Sequence, residues 1–278
     1  MKKYSVIKKL DYNSETKSKK HLIDKICKMI HQCMKDVSFS FVDIKSSPNI
    51  IFSIGGDGTM MHTLKENIIN NNDSIVVGVH AGNLGFLTPY VLKDIENKNI
   101  MTDILDICSD SSRVENRFIL EANYKNKTYY SVNEFSLCST EINRIINVEL
   151  SVNDNGVIKK MGLHRANNLL VSSPIGSTAF NMNAGGALID PSNKCMQLLF
   201  VAPTNISNRP IVLNESSVLT IRSLDDNIAV FSDDKNEIIL NKNDEISVKM
   251  SDKSSKILLP RDWNFYNNLS QKMYWNMK

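Results

Sequence analysis

The residues Ile50-Ile51-Phe52-Ser53-Ile54 run straight into Gly55-Gly56-Asp57-Gly58-Thr59, and this junction limits the possible folds more than any other stretch. A short, nearly all-apolar run predicts a strand buried on both faces, as in a parallel sheet. The glycines after it predict a tight turn that brings backbone N–H groups close to a ligand. A helix is predicted from Asp57 to about Ile69. Ile75-Val76-Val77-Gly78-Val79 repeats the theme and ends in the loop His80 to Gly85. Upstream, Tyr4 to Ile7 predicts a short strand. Leu22, Ile23, Ile26, Ile30 and Cys33 recur at helical spacing behind a cap at Asn13 or Ser14, and Val37, Phe39 and Phe41 alternate as in a half-buried strand. Alternating strands and helices imply a parallel sheet with helices on its faces. Both glycine loops would then open on the edge where such sheets bind ligands.

The pattern changes downstream, where short β-like runs fill Phe118 to Leu259. Phe118 to Tyr124 and Thr128 to Val132 flank Lys125-Asn126-Lys127 as a hairpin. Ile146, Val148, Leu150 and Val152 alternate up to Asn153-Asp154-Asn155-Gly156, whose Asn-Gly is a strong hairpin signal. Further strands are predicted at Leu169 to Ser172, Val218 to Ile221, Ile228 to Phe231, Ile238 to Leu240, Ile246 to Met250 and Lys256 to Leu259. Many strands with few helices between them predict a β sandwich or barrel. Trp263 to Trp275 suits a terminal helix.

A chain of 278 residues fits two domains or one large one. Lys and Arg exceed Asp and Glu by only 33 to 30, weaker than a dedicated nucleic-acid binder would show. No apolar stretch approaches the ~18 to 20 residues that span a bilayer, and Lys8 and Lys9 cut off any signal-peptide-like run. Five cysteines (27, 33, 108, 138 and 195) without a CxxC pair suit buried thiols in a reducing cytosol. His21, His31, His62, His80 and His164 are scattered, so no metal site built from protein ligands alone is expected.

Four segments offer chemistry. At Gly55 to Thr59 a turn followed by a helix N-terminus suits phosphate. An Asp in such a place could take a proton from a hydroxyl nucleophile or help hold Mg²⁺; the plainer reading is a Gly-Gly turn with Asp57 as N-cap. His80 to Leu87, with Gly82, Asn83 and Gly85, is a second small-residue loop, or only a structural turn. Asn133-Glu134, closing a strand, offers amide and carboxylate groups to sugar hydroxyls, or is a surface turn. Pro174 to Phe180 with Gly185-Gly186 reads as a ligand-binding loop leading into a helix, or as a helix start capped by Ser177 or Thr178. Arg165 is solvated unless it faces phosphate.

In this order and spacing the set resembles the NAD kinase family. The resemblance rests on Gly55-Gly56-Asp57-Gly58-Thr59, Gly82-Asn83-Leu84-Gly85-Phe86, Asn133-Glu134, Pro174 to Phe180, Gly185-Gly186 and Asp234 on a late strand. It covers roughly residues 45 to 245, with a looser match at Arg261 to Met273. It implies an NAD kinase-like fold: an α/β N-terminal domain with a parallel, Rossmann-like sheet (1–105, with 262–278 returning) and an all-β, sandwich-like C-terminal domain (106–261), with the active site between them. The implied reaction moves the ATP γ-phosphoryl group, with Mg²⁺ or another divalent metal, to the 2′-hydroxyl of the adenosine ribose of NAD. Asp57 matches the proton acceptor. Gly55, Gly56, Gly58, Thr59, Gly82, Asn83 and Gly85 match the phosphate loops. Gly58, Asn133, Glu134, Arg165, Asn167, Thr178, Ala179, Phe180, Asn181, Asn183, Ala202, Thr204 and Asp234 match NAD contacts. A cytoplasmic homodimer or homotetramer is implied, with polyphosphate an open alternative to ATP and no role for nucleic acid or membrane.

Three departures stand out. Arg165-Ala166-Asn167-Asn168 replaces the usual Arg-Gly-Asp-Gly, so the loop there is expected to take a different path. Phe180 replaces a Tyr, and Ile175 a small polar residue. The first motif is shared with diacylglycerol-type lipid kinases, which would not explain Asn133-Glu134. A catalytically weak dinucleotide sensor is the other alternative, motivated by Asn167.

Overall fold

The computed structural model describes residues 2–8, 17–36, 39–82, 85–97, 99–106 and 113–274. The chain divides into two compact units, Met1–Arg117 with Ser255–Lys278, and Phe118–Ser254. No helix among the described residues is long and apolar enough to cross a membrane.

In the first unit, β1 (Lys3–Lys8), β2 (Ser40–Phe41), β3 (Ile50–Gly55) and β4 (Ile75–His80) are ordered β2-β1-β3-β4, every pair parallel. All six residues of β3 are buried, as a strand with helices over both faces requires. On one face α1 (Lys17–Asp36) packs Ile23, Ile26, Ile30 and Met34 with Phe52, Ile54, Val77 and Val79. On the other, α2 (Asp57–Ile69) lays its Met60 sulfur over Gly78 and donates from the Thr63 hydroxyl to Ser53 Oγ at 2.9 Å. The short helices α3 (Leu92–Glu96) and α4 (Asn99–Asp106) add Ile95, Ile100 and Ile104 to the core that contains α1. β3 and β4 are parallel neighbours, so the loops that follow them leave the same carboxyl edge. Asn13, Ser14 and Val37 lie outside the described residues.

The second unit is built of antiparallel strands. β5 (Val114–Tyr124), which begins in the first unit, and β6 (Lys127–Ser131) form the expected hairpin. Its turn residues Lys125 and Asn126 sit at φ 45° and 64°, the left-handed pair that matches strand twist. β7 (Glu134–Ser139) precedes β8 (Ile146–Asp154) and β9 (Val157–Ser172), which are joined through Asn155-Gly156 at φ 52° and 86°. A 3₁₀ turn (Ile175–Thr178) and the single helical turn α5 (Phe180–Asn183) lead to β10 (Cys195–Pro203) and β11 (Ile211–Asn214). β12 (Val218–Ser223), β13 (Ile228–Ser232), β14 (Lys235–Leu240) and β15 (Glu245–Leu258) complete the order β14-β13-β7-β9-β8-β12-β15.

The long β9 serves two neighbourhoods. Residues 157–166 pair with β8, and residues 168–172 lie between β7 and β10. One apolar core then joins Phe135 and Leu137 of β7, Leu198 of β10 and Val230 of β13 to Leu150 of β8, Ile221 of β12 and Ile246 of β15, as in a β sandwich.

Several expectations are corrected here. Residues 246–250 and 256–259 were expected as two strands, but β15 runs unbroken from Glu245 to Leu258. Ser251 and Ser255, both buried, carry the strand across the polar gap as small hydroxyl residues. Arg165 to Asn168 form no loop; they lie inside β9, where antiparallel partners on β8, β10 and β7 hold them extended without the family's glycines. β10 and β11 were not anticipated.

The end of β15 belongs to the first unit, where Lys256 and Ile257 pair in parallel with β4. α6 (Phe265–Met273) follows, capped by Asn264, whose Oδ1 accepts from the N–H groups of Tyr266 at 2.8 Å and Asn267 at 3.2 Å. Trp275 lies outside the described residues.

Candidate active site

The first group of residues gathers at the carboxyl edge of the parallel sheet. Gly56, not Asp57, is the N-cap of α2. Asp57 is the first helical residue, where the positive end of the helix dipole favours an anion. Its carboxylate reaches the second loop instead of capping. Oδ2 accepts from Phe86 N–H at 2.8 Å, and Oδ1 from Leu87 N–H at 3.0 Å and Thr88 Oγ1 at 3.3 Å. A carboxylate offers about four acceptor sites, so among the described residues Oδ2 keeps one for a further donor. Gly85 is required by this closeness, because a Cβ there would overlap Asp57 Oδ1 and Thr88 Oγ1.

The two loops are also tied by Ala81 N–H donating to Gly55 O at 3.0 Å. From α6, Asn268 Nδ2 donates to Gly85 O at 3.3 Å, and the Lys272 ammonium lies 5.1 Å from the Phe86 ring centroid. Gly58 is exposed, and a Cβ on it would meet nothing. Packing therefore gives no reason for a glycine in a helical turn where Ala is preferred, whereas close approach of a ligand does. Thr59 is buried beside Gly55, and Gly82 is described; Asn83 and Leu84 lie outside the described residues.

The second group lies in the other unit. Asn133 does not close a strand: Val132 and Asn133 form the bend between β6 and β7, and Glu134 opens β7. The bend is clamped by backbone bonds. Ser173 N–H donates to Asn133 O at 2.8 Å, Ser173 Oγ donates to Val132 O at 2.6 Å, and Gly176 N–H donates to Ser173 Oγ at 3.1 Å. Gly176 lies so close that a Cβ would run into the Asn133 backbone. Glu134 is 7% exposed, and its Oε2 is buried with no hydrogen-bond partner among the described residues. Burial first, and the nearby Asp233 carboxylate second, push its carboxyl up to about 8.

The remaining expected residues fall at three places. Arg165 and Asn167 are exposed on β9, and Ala202 and Thr204 flank Pro203, which pairs with Ala166. These four share one exposed patch, fixed by Thr204 N–H donating to Arg165 O at 3.0 Å and by Ala202 at φ 46°. Thr178 Oγ1 donates to Ile175 O and Ser177 Oγ to Ile189 O, so neither hydroxyl caps a helix. After Ala179, the Phe180 ring is 41% exposed and Asn183 is exposed, whereas Asn181 is fully buried. Its Oδ1 accepts from Gln197 at 2.7 Å and its Nδ2 donates to Ala187 O at 3.2 Å, so its side chain points away from solvent. Asp234 sits in the turn between β13 and β14 rather than on a strand, because Ser232 already pairs with Lys235.

A family model described as the ATP-NAD kinase C-terminal domain matches residues 132–259. An NAD kinase of Blochmanniella floridana is 28% identical over 279 residues, covering 98% of this chain and 90% of that one. An NAD kinase of Sodalis glossinidius is 28% identical over 249 residues, covering 87% and 82%. The chain is similar to NAD kinases along nearly its whole length. The fold agrees. An NAD kinase from Archaeoglobus fulgidus in complex with ATP superposes with a TM-score of 0.75 at 20% identity, covering 98% of both chains. Yeast NADH kinase complexed with NADH gives 0.80 at 18% identity, covering 100% of this chain and 89% of that one.

No three His, Cys, Asp or Glu side chains among the described residues cluster to hold a metal ion. Glu134 makes a testable stability contribution. Its folded carboxyl, raised to about 8 from an ordinary 4.5, keeps a proton that the unfolded chain gives up. Stability therefore falls as pH rises from about 4.5 through 8. Glu134→Gln removes this slope, and at pH 8.5 it should be more stable than the parent by on the order of a few kcal/mol. Urea unfolding at pH 5.5, 7.0 and 8.5 checks this; a difference between the two proteins that stays constant with pH would contradict it.

Proposed function

We propose that the chain is an ATP-dependent NAD kinase that phosphorylates the 2′-hydroxyl of the adenosine ribose of NAD, giving NADP. The observation that carries the reading is the Asp57 carboxylate, held at the start of α2 by the N–H groups of Phe86 and Leu87 with one acceptor site left on Oδ2. A ribose hydroxyl is a poor nucleophile at neutral pH, and a fixed carboxylate can accept its proton as the phosphoryl group moves. Gly55, Gly56, Gly58 and Gly82 would let phosphate oxygens approach the backbone, and α2 would add its dipole.

Asn133 and Glu134 would contact the nucleoside hydroxyls. The Oε2 of Glu134, without a partner among the described residues, supports this, since a buried polar atom left unsatisfied costs about 1–3 kcal/mol unless something meets it. Phe180 offers an exposed face to a ring, and Asp234 an exposed carboxylate. A divalent metal, Mg²⁺ in the first instance, would arrive on the ATP phosphates and neutralise their charge.

Cys138 and Cys195, half-buried free thiols among the described residues, support a reducing, cytoplasmic setting. Ile158 and Leu163 on the β8–β9 hairpin are each 70% exposed, which supports a homodimer or homotetramer; light scattering of the purified chain reads this directly.

The test of function is NADP formation by the purified chain with NAD, ATP and Mg²⁺, with polyphosphate as a second donor. Turnover is expected. Binding of NAD without turnover would replace this reading with a dinucleotide sensor, and phosphorylation of diacylglycerol in vesicles would replace it with a lipid kinase.

A further inference from the structure

The backbone of the Val132–Asn133 bend has four polar groups to satisfy, and its two carbonyls are taken by Ser173. Both of its amides turn to one side chain. Asp233 Oδ1 accepts from Asn133 N–H at 2.7 Å and from Val132 N–H at 3.1 Å, and Oδ2 lies 3.2 Å from the same Val132 nitrogen. Ser131 Oγ stands 2.8 Å from Oδ1, and the Asp233 N–H donates to Glu134 O at 3.0 Å. Asp233 holds this position at φ 58°, a left-handed conformation that Asp tolerates better than most residues. Two consecutive N–H groups closing on one anion form a charge-assisted arrangement, stronger than neutral bonds.

We propose that Asp233 is a positioning residue for dinucleotide binding: its carboxylate gathers the amides of Val132 and Asn133 and so sets where Asn133 and Glu134 present their side chains. The proposal rests on the reading of Asn133 and Glu134 as NAD contacts. Its neighbour Asp234 has a different part. Asp234 is exposed in the same turn, so its carboxylate faces solvent while Asp233 is spent on the bend. The same proximity contributes to Glu134, whose carboxyl is raised by burial and then by the Asp233 charge.

Asp233→Ala, Asp233→Asn and Asn133→Ala, assayed beside the parent by steady-state NADP formation, separate the possibilities. Asp233→Ala should raise KM for NAD about 10- to 100-fold, the worth of the lost bonds to a charged acceptor, and leave KM for ATP within about threefold. Asp233→Asn keeps one acceptor oxygen and should recover most of the loss, which also serves if the alanine variant does not fold. Asn133→Ala should raise KM for NAD as well.

An effect of Asn133→Ala with both Asp233 variants at the parent's KM for NAD would overturn the positioning role alone. Equal rises in both KM values for the Asp233 variants would also overturn it, marking a general loss of structure. No effect of Asn133→Ala would overturn the reading beneath it, and the proposal with it.

Discussion

Asp57→Asn is expected to lower kcat for NADP formation by about 10²- to 10⁴-fold, the usual contribution of a positioned proton acceptor. The substitution keeps size and shape but exchanges one acceptor oxygen for an NH₂ donor. In the parent both oxygens accept N–H bonds, from Phe86 and Leu87. Whichever way the new amide turns, its NH₂ faces one of these N–H groups. The remaining site, on Oδ2 in the parent, either loses its acceptor or keeps an acceptor too weakly basic to take a proton. The loop should also loosen, at a stability cost of about 1–3 kcal/mol for the unsatisfied amide. KM for NAD should change little, because the residues read as NAD contacts lie mainly in the other unit. Steady-state kinetics and a thermal melt, run together, separate the two effects. A kcat within tenfold of the parent, with a lowered melting temperature, would leave Asp57 as a tether for residues 86–88 and nothing more.

The second large effect is expected at Gly176. An added Cβ would meet the carbonyl oxygen, carbonyl carbon and Cα of Asn133. These are backbone atoms, so no rotamer change relieves the contact. The bend itself is fastened by Ser173 and Asp233. Either the 3₁₀ turn or the bend must move, and overpacking of this kind costs about 1–3 kcal/mol or more. Gly176→Ala should lower the melting temperature by several degrees, on the scale of about 2–4 °C per kcal/mol for a chain of this size. It should also raise KM for NAD well above any change in KM for ATP, since the displaced atoms carry Asn133 and Glu134. A Gly176→Ala protein with the parent's melting temperature and KM for NAD would show that the bend is softer than its bonds imply.

Much of the architecture could be read from short windows. β3 and α2 lie where the apolar run and its glycines put them, and Lys125-Asn126 and Asn155-Gly156 form two-residue turns at positive φ. Each of these depends on neighbours in sequence, on side-chain period and on the backbone freedom of a few turn residues. The same windows misread β15, because Ser251 and Ser255 are polar in sequence yet buried in the strand. They also misread Arg165 to Asn168, which partners on β8, β10 and β7 hold extended.

The site divides in the same way. Gly55 to Thr59, Asn133-Glu134 and Gly176 are visible as motifs, and their order along the chain is enough to suggest a chemistry. That Asp57 binds the amides of Phe86 and Leu87 rather than capping its own helix depends on β3 and β4 being parallel neighbours. That Asp233 rather than Asp234 closes on the amides of Val132 and Asn133 depends on the register of β13 against β7, which pairs Ser232 with Phe135. Two adjacent aspartates are equivalent in a sequence. They become different when strand pairing, set by residues some hundred positions apart, aims one carboxylate at two backbone N–H groups and the other at solvent, because a hydrogen bond is decided within a few tenths of an ångström.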